Sequence, residues 1–430
     1  MKQILVIFIV FIFSSCNKYI IRYADQTDIV NQEAPTLIAG CKLSENYIVD
    51  PAHLAATPIR YVRINFHIMQ RSNGTGNFNE AEGKKFCREL VEQSNYRWAN
   101  NFKMNLPEGN STAALPIQIR MVLQKDAISG EDAIYFHKND SLAFWNRSLK
   151  KGYASLSDKT VINTYSTGSD TILNIFLMEH LPDSIGSKTY GDATLSGISF
   201  VQNIKLFSMQ YQHITPKYRD DGTFYTYDAY FLTKLMNHEI GHSLGLNHTW
   251  SWDDGCDDTP KNPGCWSETG VAPCDGIISN NMMDYNWSQQ AVSPCQIGRM
   301  QYNFFKEDAA VRKLAVPFWC EYHFLEKVVI YKNEMVEWNG GKDLWGDIEI
   351  REGATLIIRC IVSLPEEAKI IIKPGGKLII DGGTVTNRCG NKFDGIQIYR
   401  NRKTEEIGQV IISNGGVVEK VVNYKLIEVN

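Results

Sequence analysis

The stretch His238-Glu239-Ile240-Gly241-His242-Ser243-Leu244-Gly245-Leu246-Asn247-His248 constrains this chain more than any other. Two histidines four residues apart on a helix project from one face, about one turn apart. Two imidazoles so placed can share one metal ion. Met236, Ile240 and Leu244 recur at helical spacing and predict a buried stripe on the opposite side. Gly245 can take the positive-φ turn that ends the helix. The chain then bends back and delivers His248 as a third ligand. Three neutral imidazoles and one water make an open tetrahedral zinc site of the catalytic kind. Glu239 follows the first ligand and can reach the water. A structural zinc site prefers four protein ligands and has no use for a carboxylate there.

Downstream stands Asn280-Asn281-Met282-Met283-Asp284-Tyr285. The long zinc motif is the metzincin signature, which expects a methionine turn after the third histidine as an apolar floor beneath the metal. Met283 is the candidate, and Tyr285, two residues on, is placed to approach the metal or a tetrahedral intermediate. Plain core packing of these side chains is the alternative.

The chain resembles the pappalysin (cytophagalysin) branch of the metzincins. Besides the zinc motif, the resemblance rests on His248-Thr249-Trp250, Asp254-Gly255-Cys256-Asp257-Asp258-Thr259-Pro260, Asn281-Met282-Met283-Asp284-Tyr285 and Pro294-Cys295-Gln296-Ile297-Gly298-Arg299-Met300. It is clear over about residues 230 to 302 and reaches back more weakly to about residue 59. The resemblance implies a secreted or envelope endopeptidase with zinc and often calcium, and it names no substrate. Asp254, Asp257, Asp258 and Thr259 offer the hard oxygen ligands that calcium takes; a solvated acidic turn is the other reading. A two-disulfide pattern like the family's implies Cys256 with Cys274 and Cys265 with Cys295. Four cysteines allow three pairings, and sequence alone does not choose. Cys256 is itself a departure, since that place is often apolar, and Trp250-Ser251-Trp252-Asp253 lacks the family's usual cysteine. Some pappalysins block the metal with a pro-segment cysteine. Cys41 is the candidate for that role, with a disulfide to Cys87 or another partner as the alternative.

At 430 residues the chain predicts two or three domains. A net charge of −4 without long single-sign runs argues against a nucleic-acid partner. Lys2, the apolar stretch Ile4 to Phe13 and Ser14-Ser15-Cys16 read as a secretory signal, too short to span a bilayer. Cys16 after two small residues resembles a lipoprotein processing site, although Phe13 replaces the usual leucine; an ordinary signal peptide is the alternative. Export permits disulfides. Lipidation of Cys16 would leave nine of ten cysteines, so at least one stays unpaired.

The expected organisation is a signal over residues 1–16, a tether and possible pro-segment over 17–58, a zinc protease domain over 59–318 and a β-repeat domain over 325–430. In the protease domain, strands are expected at Ile59 to Ile68, Leu115 to Leu123, Thr171 to Met178 and Gly197 to Val201. A helix is expected from Asn79 to Phe102, with Phe86, Leu90 and Tyr96 inward, and the zinc helix from Tyr227 to Leu244. Gly197 to Val201 is read as an edge strand for an extended substrate or as an ordinary interior strand. After Phe318, Ile350, Gly353 and Leu356 recur 22 residues on as Ile372, Gly375 and Leu378, and Ile412 to Val418 repeats that pattern 40 residues after Ile372 to Leu378. This predicts a parallel β-solenoid, with a small antiparallel sandwich as the alternative. Cys360 and Cys389 are candidate partners between coils.

The fold class expected is therefore an α/β (α+β) metzincin domain followed by an all-β domain. The expected function is a lipid-anchored or secreted zinc endopeptidase acting on proteins or peptides, with His238, His242 and His248 on zinc and Glu239 as general base. Two rivals are an envelope adhesion protein, in which the β-repeats do the work, and a zinc hydrolase of small amides.

Overall fold

The computed structural model describes residues 18–25, 28–32, 39–145, 153–168, 170–180, 197–207, 226–250 and 254–423. The signal segment and Cys16 lie outside the described residues. The chain divides into two units, one of residues 38–321 with 339–345, the other of 1–37, 322–338 and 346–430.

The larger unit is built on one sheet. Arg60–Gln70 is its long strand, buried along most of its length: Val62, Ile64, Phe66 and Ile68 line one face, and on the other Asn65 and His67 are buried with hydrogen-bond partners. Ile119–Leu123 and Ile134–Lys138 share one of its edges in parallel, at residues 60–64 and 66–70. Leu173–His180 runs parallel along the other edge, followed by Asn203–Phe207. Gly197–Ser199 closes the order as an edge strand, antiparallel to Asn203–Phe207. Ile134–Lys138 and Asn203–Phe207 are strands that the sequence pattern did not single out. The helix Glu80–Ala99 starts at a capping box between Asn79 and Glu82 and packs against the helix Thr226–Ser243. Phe86 and Leu90 are buried as expected, but Tyr96 is 58% exposed. The inward stripe continues instead through Ser94, Arg97 and Trp98, which stand at i+4, i+7 and i+8 from Leu90.

Residues 39–58, read as part of a tether and possible pro-segment, belong to this unit. Short 3-10 turns at Ala39–Lys42, Ser44–Tyr47 and Pro51–Ala56 pack into this unit. Tyr47 is buried against Tyr302 and Phe305, with ring centroids 5.1 and 5.4 Å away. Residues 339–345 also belong here. Asp343 is fully buried, its Oδ2 2.6 Å from Arg312 Nη1 and 3.6 Å from Arg60 Nη2, and both guanidiniums lie over the Trp319 ring.

One buried pair makes the unit acid-sensitive. His67 Nε2 donates to Asn174 Oδ1 at 2.9 Å, and its Nδ1 accepts from His137 Nε2 at 2.9 Å. Burial pushes His67 down to about 3 and His137 to about 4. Both must be neutral in the fold, whereas the unfolded imidazoles protonate near 6.5. Stability from this pair is therefore full above pH 6.5 and falls as pH drops toward 4, by about 1.4 kcal/mol per pH unit for His67 alone. Denaturant melts of metal-loaded protein from pH 7 to 4 should show this loss, and His67→Gln should flatten it; an unchanged slope would contradict the assignment.

The smaller unit stacks parallel strands on three faces. Val328–Ile330, Ile348–Ile350, Lys369–Ile372 and Phe393–Asn401 form one sheet. Met335–Trp338, Thr355–Ile358, Lys377–Asp381 and Gln409–Ser413 form the second, and Ile361–Ser363, Thr384–Thr386 and Val417–Val418 run along the third. The 22-residue offset is the register itself: Ile350 pairs with Ile372 and Leu356 with Leu378. The 40-residue echo is not. Ile412 pairs with Ile380, 32 residues earlier, because the longer strand Phe393–Asn401 and its turn lengthen that pass. Gly415-Gly416 accordingly matches the corner Gly382-Gly383, not Gly375-Gly376. Gly382 and Gly415 both have positive φ, and a Cβ on Gly383 or Gly416 would crowd the Ile358 or Ile380 carbonyl.

The N-terminal segment read as a tether contributes two strands. Tyr19–Tyr23 pairs antiparallel with residues 397–401, and Ile29–Gln32 pairs parallel with 410–413. Both cover edges left open by the last passes of the chain, which a free tether could not do.

Candidate metal centre

The helix Thr226–Ser243 carries the first two histidines, and Met236, Ile240 and Leu244 anchor it as fully buried residues. It ends at Gly245, whose φ of +92° lets Leu246 N bond back to the Gly241 carbonyl at 3.0 Å. Asn303 Nδ2 caps the free Leu244 carbonyl at 2.9 Å.

That turn brings three ring nitrogens together. His248 Nε2 lies 3.1 Å from His238 Nε2 and 3.0 Å from His242 Nε2. His238 Nδ1 donates to the Met282 carbonyl at 2.7 Å, and His242 Nδ1 donates to the Leu246 carbonyl at 2.8 Å. With their protons committed to carbonyls, these two rings turn bare Nε2 lone pairs toward each other and toward His248. Burial holds His238 at about 3, His248 at about 4, and His242 below its ordinary value, so none relieves the crowding by protonation. Two bare Nε2 lone pairs beside a third imidazole nitrogen make the donor set that a cation takes. Zinc–nitrogen bonds of 2.0–2.1 Å at tetrahedral angles set ligand nitrogens about 3.3 Å apart, so the donor set fits.

Glu239 is buried, which alone pushes its carboxyl up to about 8. Met283 is fully buried below the helix, and a Cβ on Gly241 would overlap its Sδ. The methionine turn rests on polar side chains that the sequence pattern did not single out. Asn281 Oδ1 accepts from Met283 N, Asn286 Nδ2 donates to the Asn281 carbonyl, and Gln289 Nε2 donates to the Asp284 carbonyl. Asp284 accepts from Tyr285 N and Asn262 Nδ2. The Tyr285 ring centroid stands 5.1 Å from that of His248 and 4.8 Å from that of Trp250, at the exposed side of the centre. Gly241 is a second missed residue; its signal was only its place between two ligands on the helix face over Met283. Gly241→Ala should weaken metal affinity by roughly 10- to 100-fold, as losses in the shell around metal ligands do. Chelator competition measures this, and an unchanged affinity would count against a seated methionine turn.

The acidic loop turns its carboxylates inward. Asp254 accepts from Cys256 N and Thr259 Oγ1, while Asp258 accepts from Ser293 Oγ and Cys295 N at the start of the helix Pro294–Phe305. Asp257 is exposed. The disulfides are Cys256–Cys295 and Cys265–Cys274, correcting the pairing the resemblance implied. The turn at Asp254–Thr259 sets Cys256 against the start of the Pro294–Phe305 helix, 5.6 Å from Cys295 by Cα, and Cys265 and Cys274 close their own nine-residue loop at 5.7 Å. Cys41 is also disulfide-bonded, so it offers no thiol for latency; Cys320, Cys360 and Cys389 are bonded too. Among the described residues the free cysteine is Cys87, buried in the helix Glu80–Ala99. Eight bonded cysteines fit an oxidising, extracytoplasmic compartment.

Residues 157–304 match the family described as Pregnancy-associated plasma protein-A, the pappalysin peptidases. They form a pappalysin-family metalloprotease domain. Solved structures similar to the chain include mirolysin in complex with compound 9, at 17% identity over 60% of this chain and 97% of that one, with a TM-score of 0.40. Another is Tannerella forsythia mature mirolysin in complex with a cleaved peptide, at 19% identity over 60% and 96%, with a TM-score of 0.38. No curated protein matches. A metalloprotease family implies a metal and peptide-bond substrates, and His238, His242 and His248 are the convergent imidazole group among the described residues.

Proposed function

We propose that this pappalysin is an exported zinc endopeptidase. His238, His242 and His248 hold the zinc, and the observation that carries this is His248 Nε2 standing 3.1 and 3.0 Å from the Nε2 atoms of His238 and His242 while two Nδ1 protons are tied to carbonyls. Zinc, when bound, supplies Lewis-acid polarisation of the scissile carbonyl and lowers the pKa of water. Glu239 takes the proton of the attacking water and passes it to the leaving amine. Tyr285 donates to the oxyanion from the exposed side. The edge of Gly197–Ser199, unpaired on its outer side among the described residues, receives an extended substrate strand, which favours polypeptides over small amides. Asp254 and Asp258 accept hydrogen bonds from Cys256, Thr259, Ser293 and Cys295, and this reading needs no calcium at that loop.

The smaller unit reads as a β-solenoid closed by the N-terminal strands. With Cys16 lipidated, the first strand begins three residues later, at Tyr19. Three extended residues span about 10 Å, so the anchor holds the β-unit close to the lipid instead of on a long leash. Cleavage of a peptide library alongside single amino-acid amides tests the substrate class. Internal cuts in peptides are expected; hydrolysis of the amides alone would overturn the endopeptidase reading.

A further inference from the structure

The edge strand meets the centre at one residue. An ideal Cβ on Gly197 would lie 2.6 Å from Glu239 Oε1, 2.8 Å from its Cγ and 3.0 Å from its Cδ. Glu239 is only 5% exposed, so its side chain has little room to retreat. Gly197 is buried and held in register by pairing with Leu206, and the following Ser199 hydroxyl is 2.8 Å from that of Ser243 on the zinc helix. The strand is thus tied to the helix one turn beyond Glu239 and cannot swing away freely. Gly197 lies in a β-strand, an extended backbone that any residue adopts, so backbone freedom is no reason for a glycine here. The missing side chain is the reason that remains.

We propose that Gly197 is a positioning residue for catalysis: its bare Cα leaves the space in which the Glu239 carboxylate stands over the reacting water. The proposal rests on the reading of Glu239 as the base. A methyl group at 197 displaces the carboxylate by about the overlap it creates, and misplacement on the order of 1 Å costs roughly 10²-fold in rate.

The test is a double-mutant cycle on the full chain. Gly197→Ala should lower kcat by about 10- to 100-fold with KM within about two-fold and with zinc content unchanged. It should also lower Tm, and Gly197→Ala combined with Glu239→Ala should recover the Tm of Glu239→Ala alone, because the clash is gone. A Gly197→Ala enzyme with unchanged kcat overturns the proposal. So does a double variant as unstable as Gly197→Ala, which would place the constraint in the strand and not in Glu239. The melting cycle needs no activity, so it stands even if Glu239→Gln shows that the carboxylate is not the base.

Discussion

A Glu239→Gln variant is expected to lose about 10²- to 10⁴-fold in kcat/KM while keeping its metal, the range that a positioned general acid–base group supplies. The amide preserves side-chain size beside Gly197 and removes only the ability to take a proton. Glu239 is buried on the helix that holds His238 and His242, so its loss should not be rescued by small changes of sequence elsewhere. Steady-state kinetics with a cleaved peptide, alongside metal analysis, decide the matter. Full activity in Glu239→Gln would remove the general base from the mechanism; loss of activity together with loss of metal would assign the residue a structural role.

The second large effect concerns where the protease can be cut. A chain of residues 59–318, the boundaries suggested by sequence, is expected not to fold. It lacks the turns that bury Tyr47 and the segment that carries Asp343. Without Asp343, buried Arg60 and half-buried Arg312 lose a carboxylate partner. Breaking a buried ion pair at one end costs roughly 3–5 kcal/mol, a large share of a domain's typical 5–15 kcal/mol. In the full chain, Asp343→Ala should show about that loss in denaturant melts of the protease unit. A soluble, cooperatively folding 59–318 fragment would contradict this account of the unit's boundaries.

Much of the centre was legible because its chemistry is local. Ligands at i and i+4, a glycine that ends the helix and a third histidine soon after are fixed by helical geometry, so spacing alone placed His238, His242 and His248. Met283 and Tyr285 were found by order along the chain. What stayed hidden depends on distant pairings. Gly197 acquires meaning only when the sheet sets it over Glu239, 42 residues away. The disulfide pairing failed for the same reason, since the turn at Asp254–Thr259 and the Pro294 helix, not spacing, choose Cys295 for Cys256. Tyr19–Tyr23 and Ile29–Gln32 have no strand partner nearby in sequence, and the far end of the chain supplies theirs. The 22-residue repeat was readable because the segments between those paired strands are equal in length, and the later echo misled because a longer turn shifted the register.

Restoration of activity by metal tests the central claim most directly. Full-length protein stripped with a chelator should cleave no peptide and should regain cleavage on addition of about one zinc ion per chain, whereas His248→Ala should stay inactive at the same zinc concentration. Undiminished cleavage by the stripped protein, or full recovery in His248→Ala, would contradict a three-histidine zinc centre.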